Sequence, residues 1–413
     1  MPPPAARDAA RAGLYVHVPF CAVSCPYCHF AKGPLSAAAV ERWLGAFARE
    51  ATRRAPLASG VAFTSLFLGG GSPSAISARA FARLLRIVRD HFAFAPGAEV
   101  TLEANPEGVR PALVAAWAAA GVNRLSVGAQ SFVAEELRRL GRVHGPDGPA
   151  RAFALARAHG IRRLSLDLMF GFPGHGPEPF ARTLAAAVAL APGHVSAYAF
   201  QAEAGTPLGD AVLAGRVALP SPDAQADLYE LAGAALGAAG LEAYETSNFC
   251  RPGEEARHNL TYWLRRDWLA LGPSAHGLWR GRRWANAFTL ADWAARLERG
   301  DDPAVEREDD TPARRADDVV MRALRLAGGL RAADHAPAAW RELTDRYGAA
   351  FAQGERAGRL ERTPGGWRLP AAHRFVADDT LAWLAVRADG RFDTLSTRSL
   401  HSTPCPDLRS PAA

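Results

Sequence analysis

Three of the five cysteines in this chain fall within eight residues, as Cys21-Ala-Val-Ser-Cys25-Pro-Tyr-Cys28. The spacing is C-x3-C-x2-C. A [4Fe–4S] cube needs one thiolate on each iron, so three ligands on a short loop hold three irons and leave the fourth without a protein ligand. An iron left open in this way can act as a Lewis acid or accept a small chelating molecule. Zinc is the competing reading; a structural zinc site closes with four ligands, and His17 or His29 could supply the fourth. Three inert buried thiols are the weaker alternative, because free cysteines rarely cluster so tightly without a metal. Cys250 and Cys405 have no partner in the pattern and read as a buried thiol and a tail thiol.

The loop needs a scaffold, and the flanking sequence supplies one. Apolar strand candidates at residues 14–18, 65–68, 99–103, 124–127, 164–169 and 195–200 alternate with helix candidates at 36–54, 77–91, 111–120, 149–159 and 179–190. Ser36 is placed to cap the first of these helices. Six strands alternating with helices predict parallel βαβ units and an open, partial parallel β/α barrel. Chemistry in such barrels gathers at the C-terminal ends of the strands. The cysteines follow the first strand and Gly69-Gly70-Gly71 follow the second. Glu103 closes the third, Gln130 follows the fourth, and Asp167 lies in the fifth. Taken singly, each carboxylate reads as a salt-bridged or capping group; their recurrence at equivalent points favours a shared site.

Beyond the barrel, residues 222–239 predict a helix and 241–246 an extra strand. Residues 301–318 read as a charged connection. Helices at 319–326, 338–347 and 351–358, then a hairpin over 359–369 turning at Pro364-Gly365-Gly366, predict a small, mostly helical, winged-helix-like domain. The expected organisation is a lead at 1–12, a core domain at 13–240, an extension at 241–300, the helical domain at 301–386 and a loose tail at 387–413.

Across 413 residues the formal net charge is +6, almost all of it arginine, with Lys32 the single lysine. The charge is spread along the chain, which argues for a solvated surface and against a nucleic-acid stripe. No apolar run is long enough to span a bilayer, and the start, Met1-Pro2-Pro3-Pro4, lacks a secretory pattern. The expected location is the cytoplasm, where thiols stay reduced and a disulfide framework is not expected.

The run Tyr15-Val-His-Val-Pro-Phe-Cys21 through Cys28 resembles the radical S-adenosylmethionine (SAM) superfamily. More narrowly, it resembles the branch containing oxygen-independent coproporphyrinogen III oxidase and the HemW-type haem chaperones. The resemblance continues through Leu68-Gly-Gly-Gly-Ser-Pro-Ser74, Leu102-Glu-Ala-Asn-Pro106, Leu125-Ser-Val-Gly-Ala-Gln-Ser-Phe132 and Leu140-Gly-Arg-Val-His144. It extends through Asp167-Leu-Met-Phe-Gly-Phe-Pro-Gly174 and Tyr244-Glu-Thr-Ser-Asn-Phe249. It implies that Cys21, Cys25 and Cys28 hold a [4Fe–4S] cluster whose open iron is chelated by SAM. It further implies that Tyr27 lies near the adenine and that Gly70, Gly71 and Ser72 meet the SAM amino group. Tyr15, Glu103, Gln130, Arg142 and Asp167 match positions that contact SAM in the oxidase. Ser72 stands where threonine is usual, and keeps the hydroxyl.

Two features separate the branches. The oxidase pattern continues to a fourth cysteine where this chain has Phe30, the chaperone-like choice. His258-Asn-Leu-Thr-Tyr-Trp263 resembles the HNxxYW motif associated with haem binding in the chaperones, which implies His258, Asn259, Tyr262 and Trp263 as haem-binding residues. His258 can offer a neutral imidazole to iron, and on a helix His258 and Tyr262 share a face. Without the resemblance, a core histidine is the better reading of His258. Gly272-Pro-Ser-Ala-His276 and Asn286 also match the chaperone pattern. The expected function is therefore haem binding and transfer, with haem as cargo and haem-acceptor proteins, respiratory-chain components among them, as partners. The runner-up is the oxidase itself, acting by radical oxidative decarboxylation; a zinc-stabilised scaffold is the third reading. SAM turnover, a homodimer and a peripheral membrane contact stay open.

Overall fold

The computed structural model describes residues 12–389. Cys405, the first eleven residues and the tail from 390 onward lie outside the described residues. Alternation drives the first strand: in β1 (Gly13–Val18), Leu14, Val16 and Val18 enter the main apolar core, while Gly13, Tyr15 and His17 face the other way. The pattern repeats through β2 (Ala62–Gly70), β3 (Ala93–Ala104), β4 (Arg124–Gln130), β5 (Arg163–Phe170) and β6 (His194–Ala199), all paired parallel in chain order.

Parallel neighbours need long crossovers. These are α1 (Ala37–Arg54), α2 (Ala78–His91), α3 (Pro111–Ala119), then α4 (Ala134–Arg139) with α5 (Gly148–Ala158), and α6 (Pro177–Ala189). Ser36 caps α1 by accepting from the Ala39 amide at 3.1 Å. In α2, Phe81, Leu84, Leu85 and Val88 form one buried stripe. Together with Trp43, Phe47, Trp117, Phe153 and Phe180 they fill the layer between helices and sheet.

The chain then adds α7 (Pro207–Leu213), α8 (Pro222–Ala238), β7 (Glu242–Ala243), β8 (Asn248–Cys250) and α9 (Arg257–Trp263). It continues with β9 (Trp268–Leu271), β10 (His276–Trp279), β11 (Arg282–Asn286), α10 (Leu290–Glu298) and β12 (Ala304–Asp309). The result is one twelve-stranded sheet in the order β12-β11-β10-β9-β1-β2-β3-β4-β5-β6-β8-β7, which ends on two free edges and so is not a closed barrel. β9 joins β1 in parallel, so its C-terminal end opens on the same rim as the cysteine loop.

A second apolar core, with Leu324, Leu343, Tyr347, Phe351, Trp367 and Leu384, lies among α11 (Pro312–Ala323), α12 (Pro337–Arg356) and α13 (Ala377–Asp389). A three-stranded antiparallel sheet of β13 (Leu330–Arg331), β15 (Gly366–Arg368) and β14 (Glu361–Thr363) completes it. Three local expectations are corrected. The charged stretch at 301–318 is ordered, as β12 and the first half of α11. The helices expected at 338–347 and 351–358 are one helix of 20 residues, because Gly348 sits mid-helix without breaking it. The extra strand expected at 241–246 is two residues long.

Candidate functional site

The cysteine loop leaves β1 at the rim and is tied back at several points. The Gly33 amide donates to the Pro19 carbonyl at 2.7 Å, and Phe20 and Gly33 form a parallel bridge. Lys32 Nζ donates to the Cys28 carbonyl at 2.8 Å. Beneath the loop, buried His17 bonds the Ala31 carbonyl through Nε2 at 2.8 Å and the Tyr15 hydroxyl through Nδ1 at 3.1 Å. Both ring nitrogens are thus engaged, and burial pushes the ring down to about 4, which keeps it neutral. His17 therefore has no nitrogen to offer a zinc ion, and His29 packs its ring against Phe30 with centroids 5.4 Å apart. Among the described residues no three His, Cys, Asp or Glu side chains are grouped to hold a single metal ion. A four-iron cube makes no such demand, since each thiolate meets a different corner. Cys21, Cys25 and Cys28 are free, half-buried thiols on one loop, and Phe30 is 55% exposed at the point where a fourth cysteine would stand.

The residues read as facing SAM gather around this loop on successive strand ends. Gly70 ends β2 at φ +106°, and a Cβ there would sit 2.7 Å from the His17 ring. A Cβ on Gly71 would lie 2.7 Å from the Phe20 carbonyl oxygen. These glycines are required first by the close packing of β2 against β1, which also holds the Ser72 amide on the Phe20 carbonyl at 2.7 Å. Glu103 accepts from the Gly70 amide at 3.2 Å. Gln130 closes β4 at φ +64°, a left-handed conformation uncommon outside glycine, and accepts the Tyr198 hydroxyl at 2.6 Å. Arg142 spans the site: Nη2 donates to Asn105 Oδ1 and the Gly128 carbonyl, both at 2.7 Å, while Nη1 lies 3.6 Å from Cys25 Sγ. Tyr27 joins an apolar group with Leu140, Met169, Phe172 and Phe200, a flat, greasy wall beside two of the cysteines.

Two observations test whether a cationic nucleoside fits here. Burial, then the neighbouring Asp167 charge, pushes the Glu103 carboxyl up to about 8. Burial likewise pushes Asp167 up to about 6, despite hydrogen bonds from Ser126 and Ser196. Two buried carboxyls raised mainly by desolvation would be stabilised in their charged form by a bound cation. In addition, Arg142 Nε and Thr101 Oγ1 are buried without a hydrogen-bond partner. The residues present fit an amino-acid-bearing sulfonium. If Glu103 must ionise to receive it, SAM affinity should rise with pH between about 6 and 8, by up to about tenfold per unit. Calorimetric titration at a series of pH values checks this, and a flat profile would remove Glu103 from the cation's surroundings.

Sequence reasoning missed His17 as a loop anchor, Asn105 as the Arg142 holder, and Tyr198. His17 and Asn105 lie within recognised motifs, whereas Tyr198 lies on β6 outside them; polar residues alternating inward on β1 and β6 were the available signal.

The motif helix α9 lies at the opposite end of the barrel interior from the rim. His258 is fully buried, with Nδ1 on Ser65 Oγ and Nε2 on Tyr262 Oη, both at 2.8 Å. Its backbone amide donates to Glu99 at 3.1 Å, and burial pushes its ring down to about 3. Both ring nitrogens are thus engaged and the ring is buried, so this structure presents no free His258 nitrogen at a surface. Asn259 Nδ2 donates to the Tyr244 hydroxyl at 2.9 Å, and Trp263 is half-buried with its Nε1 unpartnered. His258 and Tyr262 do share a face, as their spacing predicts. The Gly272-to-His276 loop and Asn286 meet at Glu50, a buried carboxylate on α1 that receives the Gly272 amide, Asn286 Nδ2 and Trp293 Nε1 at 2.8, 2.7 and 3.1 Å. They brace the β1–β9 seam.

Comparison with known proteins agrees with this geometry. The profile of the radical SAM superfamily matches residues 15–187. The heme chaperone HemW of Mycobacterium tuberculosis is 43% identical over 277 residues, covering 66% of this chain and 71% of that protein. HemW of Escherichia coli is 38% identical over 265 residues, 64% and 69% of the two chains, and HemW of Bacillus subtilis is 33% identical over 275 residues, 66% and 72%. Among solved structures, E. coli coproporphyrinogen III oxidase (HemN), a radical SAM enzyme, superposes with a TM-score of 0.79 at 23% identity, covering 91% and 90% of the two chains. That last likeness speaks for the fold. The chain belongs to the HemW heme chaperone family within the radical SAM superfamily.

Proposed function

We propose that this protein is a haem chaperone, which binds haem and passes it to acceptor proteins, and that a SAM-liganded [4Fe–4S] cluster on Cys21, Cys25 and Cys28 supports that task. The observation that carries the reading is the 43% identity to a heme chaperone over two thirds of the chain. Phe30 in place of a fourth cysteine, exposed beside the cluster loop, is consistent with it.

When bound, the cluster supplies a Lewis-acidic iron and a one-electron donor next to SAM. The chain's own residues then have distinct tasks. Tyr27 and its apolar neighbours would face the adenine and keep water from it. The tight β1–β2 end at Gly70, Gly71 and Ser72 would present backbone groups to the amino-acid portion. Glu103 and Asp167 would sit near positive charge, and Gln130, fixed by Tyr198, would mark one wall. Arg142 would hold the cluster loop against β4 while offering Nε to an acceptor. Tyr15 would close the pocket from below. Haem is the substrate in this scheme.

The test is a haem titration followed in the Soret band, run beside an anaerobic coproporphyrinogen III oxidase assay. Saturable haem binding without conversion to protoporphyrinogen IX is expected. Turnover at rates typical of enzymes, about 1 per second or faster, would establish an oxidase instead.

A further inference from the structure

The HNxxYW motif and the SAM pocket are connected by direct contact. The His258 ring stacks beneath Phe67 and Tyr15, with centroids 5.2 and 6.4 Å away, and those two rings stack on each other at 6.1 Å. Tyr262 meets His258 edge-on at 5.0 Å and Trp268 at 4.9 Å. Above this stack sits Glu103: a Cβ on Gly69 would touch both the Phe67 ring at 2.7 Å and Glu103 Oε2 at 2.9 Å, so ring and carboxylate lie against the same point. Glu103 in turn holds the Gly70 amide. Below the stack, Gly13 leaves room for the imidazole, whose Cε1 would lie 3.0 Å from any Cβ added there.

The ring is held as firmly as its surroundings allow. Two hydroxyls, Ser65 and Tyr262, bracket a neutral imidazole, which has one N–H to donate and one lone pair to fill. That makes a single orientation in which nothing is left unpaired. The helix carrying it is clamped from outside as well. Asn259 bonds Tyr244, whose hydroxyl also meets His194 Nε2 at 3.0 Å, and Arg322 of α11 stacks over Trp268 with its guanidinium carbon 5.8 Å from the ring centroid.

We infer that His258 and Tyr262 are positioning residues for the SAM pocket, forming its floor and setting the height of Tyr15, Phe67 and Glu103, and that they do not ligate haem iron. The inference rests on the reading of Tyr15, Gly70 and Glu103 as the SAM side of the barrel.

The experiment compares Tyr262→Phe, Ser65→Ala and His258→Asn in the cluster-reconstituted full-length protein. Three quantities are read for each: SAM affinity by equilibrium dialysis, haem affinity by Soret titration, and thermal midpoint. Tyr262→Phe removes one hydroxyl and keeps the ring, so it is the variant expected to fold without difficulty. SAM binding is expected to weaken about fivefold, the effect of one buried hydrogen bond, with haem affinity and Soret position unchanged. Weakened haem binding with intact SAM affinity would overturn the inference in favour of ligation. So would loss of both affinities in step with the thermal midpoint, which marks a general structural role, or no change in either. Failure of the unsubstituted protein to bind SAM at all would instead sink the cofactor reading on which the inference stands.

Discussion

Replacing Cys25 with alanine is expected to abolish the iron–sulfur cluster. The chain brings three thiols to one loop, and His17, the nearest alternative donor, has both ring nitrogens committed to Tyr15 and Ala31. His29, the other imidazole beside the thiols, packs its ring on Phe30, so a cube left with two cysteine attachments should not survive purification. Iron in anaerobically reconstituted material should fall from about four atoms per chain to well below one, with loss of the broad visible absorbance. Cys250→Ala is the matching control. That thiol is buried on β8, where burial above all pushes it up to about 12, and it should be inert toward metal. A Cys25→Ala protein that keeps its full iron load would contradict the ligand assignment.

The second large effect is on stability. Asp318 on α11 is almost wholly buried and receives three guanidinium groups: Arg265 at 2.6 Å, Arg322 at 2.7 Å, and Arg283. Arg265 also reaches Asp310, so the network stitches α11 to the segment that follows the motif helix and to β11. Asp318→Ala would leave three cations facing one another with one remaining carboxylate between them. Breaking a buried network in this way costs about 3–5 kcal/mol, readable as a lowered denaturant midpoint. Burial alone would raise the Asp318 carboxyl, but Arg322, Arg283 and Arg265 hold it at about 2. A carboxylate depressed in the folded state stabilises fully above its unfolded value and loses that contribution as pH falls through the folded one. The network should thus persist to about pH 4 and fail between there and about pH 2. A variant as stable as the unsubstituted protein, or one whose deficit is unchanged at pH 2, would show that these charges contribute little.

The parallel half of the sheet was legible because each βα unit carries its own local signal: an apolar run, a turn and an amphipathic helix of ordinary length. The same locality exposed the cysteine loop and the polar residues at strand ends. What escaped depends on distant partners. Glu50 reads as one more polar residue on an amphipathic helix, yet it is the buried acceptor for groups 222 to 243 residues away. The role of His258 turns on Ser65, 193 residues earlier, and on Gly13, whose missing side chain makes space for the ring. The resemblance to a haem motif singled out His258 and its neighbours, while the burial of the His258 ring was visible only once β1, β2 and α9 were stacked. The strands β9 to β12 were missed for a different reason. They are short, four to six residues each, and are punctuated by arginine and tryptophan that the pattern of a buried strand does not predict.

An iron held at one open corner should report any molecule that chelates it. The most direct measurement is the electron paramagnetic resonance spectrum of the dithionite-reduced, reconstituted protein before and after addition of SAM. A shift of the cluster signal that saturates with SAM is the predicted result. A four-iron signal that stays unchanged at saturating SAM, or reduced protein with no such signal, would contradict the assignment.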